Sequence, residues 1–349
     1  VIVVIEGLSL DDIILTPRYN RIKSRLDTDV KTKVSRRHGL DIPIVSTNMS
    51  TITEYDMAKE MGRLGGSGIL HRFMPTNQNY EMAIRLQKDK IKPVISSVGV
   101  GDEELKRAYG LLGYSDVLLI DVAHADAESV FDQLHAIKTR RDKFNKDTDI
   151  IVGNIATYEA ARTFMNQGAD GVRVGIGGGS RCQTREVTGH GVPNLTALME
   201  VVRARNDHKG DTDIYIPVIM DGGIKNSGDI VKSLYFGADA VSLGNLVAGT
   251  DETPGETFRN GDGLFKKYYG MASKEAQDTH RNGIKKGTTS EGFSAPVPYK
   301  GKVSTIIDNL VGGIRSGLTY SGAKDIYELR MNGRPIRLSP ASQYESKLR

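Results

Sequence analysis

Between residues 41 and 246 short apolar runs alternate with amphipathic stretches. The runs are DIPIVSTNM (41–49), GSGILHRF (66–73), KPVISSVG (92–99), DVLLIDVAH (116–124), DIIVGNIAT (149–157), GVRVGIGGG (171–179), IPVIMDGG (216–223) and AVSLGNL (240–246). Each is nearly continuous in apolar residues, the pattern of parallel strands buried on both faces. Between them, segments such as EYDMAKEMGRLG, EELKRAYGLLG and YEAARTFMNQGAD carry apolar residues at helical spacing. The triplet GAD, at 168–170 and 237–239, stands directly before a strand, where a glycine closes the preceding helix. Eight strands with seven intervening helices and more helix behind predict a (β/α)₈ TIM barrel in the α/β class. The rival is a doubly wound sheet, which expects a glycine-rich turn after its first strand; none follows residue 49. Residues 250–302, rich in Gly, Thr and charge, are too long for a plain connection. They are expected to form an active-site flap within a single barrel domain spanning 1–349, with no inserted second domain.

Composition narrows this picture. The 349 residues are 38% hydrophobic and 26% charged, and 39 are glycine. That is ordinary globular usage with many tight turns. The net charge of +4 is spread along the chain, and the densest basic runs, KTKVSRRHG and KTRRDKFNK, carry few aromatics. They read as solvated faces rather than a nucleic-acid surface. No apolar run approaches 18 residues, so no membrane helix is expected. The opening VIVVIEGLSLDD lacks the length and basic flank of a signal peptide. One cysteine leaves no intramolecular disulfide and no cysteine-rich metal site; it fits a reducing, cytoplasmic setting.

In such a barrel the chemistry sits at the C-terminal ends of the strands. Those ends carry Asn48, Arg72, Asp121, Asn154, Asp221 and Asn245, and the loop after the sixth strand, GIGGGSRCQT, holds the single cysteine, Cys182. The loops after strands seven and eight, with Gly222, Gly223, Gly244 and Asn245, suit a phosphate, and Ser180 adds a hydroxyl. Asp221 can accept two hydrogen bonds from a ribose. Together these suggest a nucleotide lying over Cys182. The plain alternatives stay open: a small buried cysteine beside a turn, and DGG and GGG as ordinary tight turns.

The stretch GIGGGSRCQTREVTGHGVP resembles the catalytic loop of the IMP dehydrogenase and GMP reductase family. NM (48–49), GNIAT (153–157), DGGI (221–224), YYGMAS (268–273), SEG (290–292), VPYKG (297–301) and GGIRSGLTYSGA (312–323) match in the family's order. The resemblance implies a covalent intermediate on Cys182, with Thr184 and Glu291 as its catalytic partners. It implies that Tyr269, Gly270, Met271 and Ala272 contact the purine nucleotide, and that Asp121, Asn154, Arg72 and Ser273 serve the nicotinamide cofactor. Carbonyls of Gly177, Gly179 and Cys182 would hold a potassium ion, and the assembly would be a homotetramer.

Of the family's two activities, the residues favour NADPH-dependent reduction of GMP to IMP and ammonia. No room exists between residues 73 and 92 for the extra domain pair usual in the dehydrogenases. The flap lacks the dehydrogenase Arg-Tyr pair, whereas Thr184 and Glu291 fill the reductase positions. SLDDIILTP, GHGVP and VAHAD lean the other way, and GTTSEG lacks an arginine common in the reductase flap. The alternatives are an IMP dehydrogenase without the inserted domains, using NAD, and a nucleotide-sensing barrel.

Overall fold

The computed structural model describes residues 4–144, 147–280, 283, 284 and 286–345. Eight parallel strands close into a barrel: β1 (Ile44–Ser46), β2 (Ser67–Leu70), β3 (Ile95–Val98), β4 (Val117–Asp121), β5 (Asp149–Ile155), β6 (Gly171–Val174), β7 (Val218–Asp221) and β8 (Ala240–Leu243). All eight fall inside the runs read from the sequence, and each is shorter than its run. Every run continues past its strand into the loop at the C-terminal end, where the polar residues lie.

The two-residue period of the strands divides their side chains between two cores. Val117 and Leu119 of β4 point into the barrel with Val45, Ile69, Ile95, Ile151 and Ile219. Leu118 and Ile120 point outward and join the larger core beneath the helices. Val34 and Leu40, on a small hairpin before β1, belong to the inner cluster. Continuous apolarity in the strands follows from these two destinations.

The helices are α1 (Tyr55–Arg63), α2 (Thr76–Lys88), α3 (Asp102–Leu111), α4 (Glu128–Lys143), α5 (Tyr158–Asn166), the short α6 (Thr184–Thr188), α7 (Asn194–Thr212) and α8 (Ser227–Tyr235). Thr157 and Asn226 cap α5 and α8 by accepting backbone N–H groups, as short polar side chains do at helix starts.

After β8 the segment 250–302 builds a three-stranded antiparallel sheet from β9 (Phe258–Asn260), β10 (Gly263–Tyr269) and β11 (Ser294–Pro298), with α9 (Lys274–His280) between the last two strands. Residues 281, 282 and 285 of that segment lie outside the described residues. Helix α10 (Val303–Tyr320) follows and packs against α8 and α1. Among the described residues no helix is long and apolar enough to cross a membrane.

Candidate active site

Two polar clusters lie at the barrel mouth. The first is anchored on rigid strand ends. Arg173, in the middle of β6, is 3% exposed. Its Nε donates to Asn154 Oδ1 at 2.5 Å and its Nη1 to Asn48 Oδ1 at 2.5 Å. Its Nη2 donates to the Asp121 carboxylate, and its Nε lies 3.8 Å from Asp221 Oδ2. Asn154 Nδ2 in turn donates to Asp221 Oδ2 at 2.9 Å and to the Gly175 carbonyl at 2.6 Å. One guanidinium therefore fixes the ends of four strands, because its five donors fan out in one plane. Burial works to raise the Asp121 carboxyl, but the guanidiniums of Arg173 and Arg72 outweigh it and hold the group below its ordinary value.

Asp121, Asn154 and Asp221 were expected from the sequence to face a ligand; the structure shows them joined through Arg173, which that reading passed over. The signal was present, since Arg173 is the one charge inside the apolar run GVRVG. A buried charge needs partners of this kind.

The second cluster joins the loop after β6 to the flap. The Cys182 thiol donates to Thr184 Oγ1 at 3.1 Å, and that hydroxyl donates to Glu291 Oε2 at 2.9 Å. The Thr184 amide points at the sulfur from 3.5 Å. Backbone bonds hold the two segments in register. Gln183 N donates to the Glu291 carbonyl at 2.7 Å, Glu291 N to the Ala272 carbonyl at 3.0 Å, and Phe293 N to the Arg181 carbonyl at 3.3 Å. Gly270 and Gly292 permit the approach, since a Cβ on either would stand 2.7 or 2.8 Å from the Arg181 carbonyl oxygen. The Arg181 guanidinium lies 4.9 Å from the centres of both the Tyr268 and Phe293 rings. Such cation–ring contacts add to the clasp. Cys182 is partly exposed and free, as a reacting thiol must be.

The loops expected to hold a phosphate come together beside this cluster. Gly222 and Gly223 take positive φ, +88° and +79°, directly after β7. Asn194, the first residue of α7, presses in next to them: a Cβ on Gly223 would lie 2.3 Å from its Nδ2. Ser180 Oγ lies 3.3 Å from the hydroxyl of Tyr268, which also borders Gly244. The side chain of Asn245 is exposed, and its carbonyl accepts from Lys300 Nζ at 2.8 Å.

Tyr269, expected to contact the nucleotide, has its hydroxyl 3.3 Å from Ser50 Oγ, and it is the neighbouring Tyr268 whose hydroxyl reaches Ser180. Adjacent residues of a strand point to opposite faces, so a one-residue shift exchanges the two. Ser273 is 1% exposed, and its Oγ accepts from Ala276 N at 3.2 Å. It caps α9. Met271 remains near the mouth, its sulfur 3.4 Å from Ser50 N, and Ala272 is exposed. Arg72 stacks 4.6 Å over the Phe73 ring, with Nε 3.6 Å from Asp121 Oδ2.

Of the carbonyls expected around a monovalent cation, that of Gly179 accepts from Cys182 N at 3.1 Å. Among the described residues no group of three or more His, Cys, Asp or Glu side chains is placed to hold a metal ion.

Residues 7–349 match the family model described as IMP dehydrogenase / GMP reductase domain. The inosine-5'-monophosphate dehydrogenase of Nitrosopumilus maritimus is 31% identical, with 98% of each chain covered. The GMP reductase of Onchocerca volvulus is 33% identical, covering 95% of this chain and 91% of that protein. A crystal structure of a cysteine-to-alanine variant of Trypanosoma brucei GMP reductase, in complex with guanosine 5'-monophosphate, superposes with a TM-score of 0.90 at 27% identity, covering 99% of this chain and 98% of that one. The alignment to Leishmania donovani GMP reductase runs over 481 positions, so relatives carrying extra segments include reductases. A dehydrogenase relative, that of Cryptosporidium parvum, aligns over only 389 positions with 94% of it covered, so the short stretch between β2 and β3 does not separate the two activities. Fold, motif order and sequence agree, and the chain belongs to the IMP dehydrogenase/GMP reductase family of oxidoreductases.

Proposed function

We propose that the protein is a GMP reductase, converting GMP to IMP and ammonia with NADPH in purine nucleotide interconversion. The observation that carries this reading is the unbroken line from the Cys182 thiol through Thr184 Oγ1 to Glu291 Oε2. A proton moved along it leaves a thiolate and a carboxylic acid at once. The thiolate is the nucleophile and the acid is what a poor amine leaving group needs.

In this reading the ribose hydroxyls of GMP bind Asp221, and its phosphate meets Ser180, Tyr268 and the loops at Gly222–Gly223 and Gly244–Asn245. Backbone groups of Gly270, Met271 and Ala272 face the purine edge. Cys182 Sγ bonds to C2, the Glu291 proton passes through Thr184 to the 2-amino group, and ammonia leaves. The purine remains joined to Cys182 as a thioimidate. The dinucleotide, when bound, supplies the hydride that C2 accepts, and Cys182 then departs as thiolate. Asp121, held as an anion by two arginines, and Arg72 fit a cofactor with ribose hydroxyls at this point of the mouth. A potassium ion at the carbonyls of Gly177, Gly179 and Cys182 would have to share the Gly179 oxygen with Cys182 N. A homotetramer in the cytoplasm completes the reading by family likeness.

Many relatives of similar identity carry the dehydrogenase name, which sustains a second reading: oxidation of IMP to XMP with NAD. One assay separates them. NADPH consumed with GMP, with IMP as product, supports the reductase; NAD reduced with IMP, with GMP ignored, overturns it.

A further inference from the structure

The stretch VPYKG (297–301) takes no part in the chemistry above. It closes the flap. Strand β11 ends at Pro298, and the next residues run beside the turn that follows β8. Lys300 N donates to the Gly249 carbonyl at 2.9 Å, and Asp251 N to the Gly301 carbonyl at 2.9 Å. Gly249, at φ +86°, permits the approach, since a Cβ there would stand 2.4 Å from the Pro298 carbonyl oxygen. The turn carries Gly244 and Asn245, two of the residues assigned to the phosphate. It closes on itself when Val247 N and Ala248 N donate to the Gly244 carbonyl at 3.2 and 2.9 Å. That leaves the carbonyls of Asn245 and Leu246 to the Lys300 ammonium, which donates to them at 2.8 and 3.1 Å. A pinned carbonyl fixes its whole peptide plane, so the flap's last residues hold the phosphate loop in shape.

The charge on Lys300 is unmatched. Lys266, on β10, also donates to carbonyls, those of Thr253 at 2.7 Å and Asp251 at 3.3 Å. Asp251 and Glu252 offset its charge. For Lys300, desolvation lowers the pKa below its ordinary value and no acidic group opposes the shift. The nearby carboxylates are engaged elsewhere: Asp251 Oδ1 accepts from Tyr299 Oη at 2.6 Å, and Glu252 Oε2 from Val303 N at 2.9 Å. The contacts assigned to the phosphate, Ser180, Tyr268 and the glycine loops, are neutral. A phosphate set among them calls for a cation in reach. Arg181 is held between the Tyr268 and Phe293 rings, and Lys300 stands behind the loop itself.

We infer that Lys300 is a positioning residue for the nucleotide phosphate: its ammonium holds the Asn245 and Leu246 carbonyls, sets the turn against the phosphate, and supplies the balancing charge. The inference rests on the nucleotide reading of the site and deepens it by naming what shapes and charges the phosphate loop.

The test is a calorimetric titration of the whole protein with GMP and with guanosine, whose affinity ratio isolates the phosphate. Lys300→Met should lower that ratio about tenfold, the scale of a hydrogen-bonded charge, while guanosine binds as before. KM for GMP should rise with kcat little changed. Lys300→Arg keeps the charge and enough donors for both carbonyls, so it should restore most of the ratio. In wild type, GMP should slow acetylation of Lys300 by a pulse of acetic anhydride, read by peptide mass. The slowing should be about threefold or more relative to guanosine at equal saturation, since a nearby anion favours the protonated amine. That measurement decides the matter if Lys300→Met fails to fold. An unchanged ratio in Lys300→Met, or equal protection by the two ligands, overturns the inference. So does a fall in kcat alone, which would make Lys300 only a brace for the flap. Tyr268→Phe separates this inference from the site reading. If it lowers the ratio and Lys300→Met does not, only the role of Lys300 fails; if neither does, the phosphate site itself is misplaced. If the protein oxidises IMP and ignores GMP, the reductase reading fails, and the same titration with IMP and inosine still decides Lys300.

Discussion

The Arg173 cluster and the Cys182 relay sit at the same mouth but are built in opposite ways. Arg173, Asp121, Asn154 and Asp221 stand at the ends of neighbouring barrel strands, where the parallel ladder fixes their spacing. They close on one buried guanidinium, that of Arg173. Cys182, Thr184 and Glu291 are partly exposed and come from a loop and a flap 107 residues apart in sequence. Their register depends on a few backbone bonds and on Arg181 between two rings. The first arrangement is rigid by construction and suits binding groups. The second can open without disturbing the barrel, which suits groups that move protons and must admit substrate.

The largest effect should follow from breaking the relay at its nucleophile. Cys182→Ala is expected to lower turnover more than about a thousandfold while GMP still binds, because no other thiol can form the covalent bond. Steady-state rates beside a GMP titration check this; activity above about 1% of wild type would end covalent catalysis on Cys182. Glu291→Gln keeps the shape but cannot release a proton, so deamination should fall by about 10²–10⁴-fold. Hydride transfer needs no proton from Glu291. NADPH formation on rapid mixing of NADP with IMP should therefore survive far better. Equal loss in both directions would place Glu291 in forming the thiolate that both directions share and not in releasing ammonia.

The strand-end cluster should answer differently, through stability and binding. Arg173→Met leaves Asp121 and Asp221 without their shared cation, and removing one partner of a buried ion pair costs about 3–5 kcal/mol. Urea unfolding should show that loss. The same pairing predicts a pH effect. Asp121 is held below its ordinary value of 3.8, so its contribution is present above that pH and fades as pH falls through the lower folded value. Melting temperatures measured on the acid side should drop more steeply in wild type than in Asp121→Asn. Asp221→Ala should raise KM for the nucleotide with little change in kcat, since its proposed partners are ribose hydroxyls. A collapse of kcat at constant KM would move Asp221 into the chemistry.

The strand-built half of this site was displayed in the sequence more readily than the half built from a loop and a flap. Strands buried on both faces write themselves as apolar runs, so all eight could be located, and the polar residues at their ends followed. Arg173 escaped because the apolar run hid it: pattern reading treats a lone charge as an interruption, whereas the fold turns it into the hub. The Thr184–Glu291 contact could be anticipated only through family likeness, since no local periodicity links residues 107 apart. The cap that Ser273 makes on α9 was not anticipated, because a serine before a helix and a serine facing a ligand look alike in sequence.

The smallest expected effect tests the choice between two adjacent tyrosines, and with it the boundary between the clusters. Tyr268 is 3% exposed, and its hydroxyl lies between Ser180 and Gly244 on the phosphate side. Burial raises its phenol above the ordinary value, so it stays a neutral donor at pH 7. Tyr269 Oη instead meets Ser50, on the side of His280. Removing one hydroxyl from a partner of a charged phosphate costs about 1.5–3 kcal/mol. Tyr268→Phe should therefore raise KM for GMP by about 10- to 100-fold while kcat changes little. Tyr269→Phe loses only a neutral contact, worth about 0.5–1.5 kcal/mol, and should leave KM for GMP within about twofold because that contact is made with or without nucleotide. Parallel KM measurements with GMP, and with guanosine lacking the phosphate, complete the test. The Tyr268→Phe penalty should vanish for guanosine. A penalty that persists there would remove Tyr268 from the phosphate, and one larger at Tyr269 would give the contact to Tyr269.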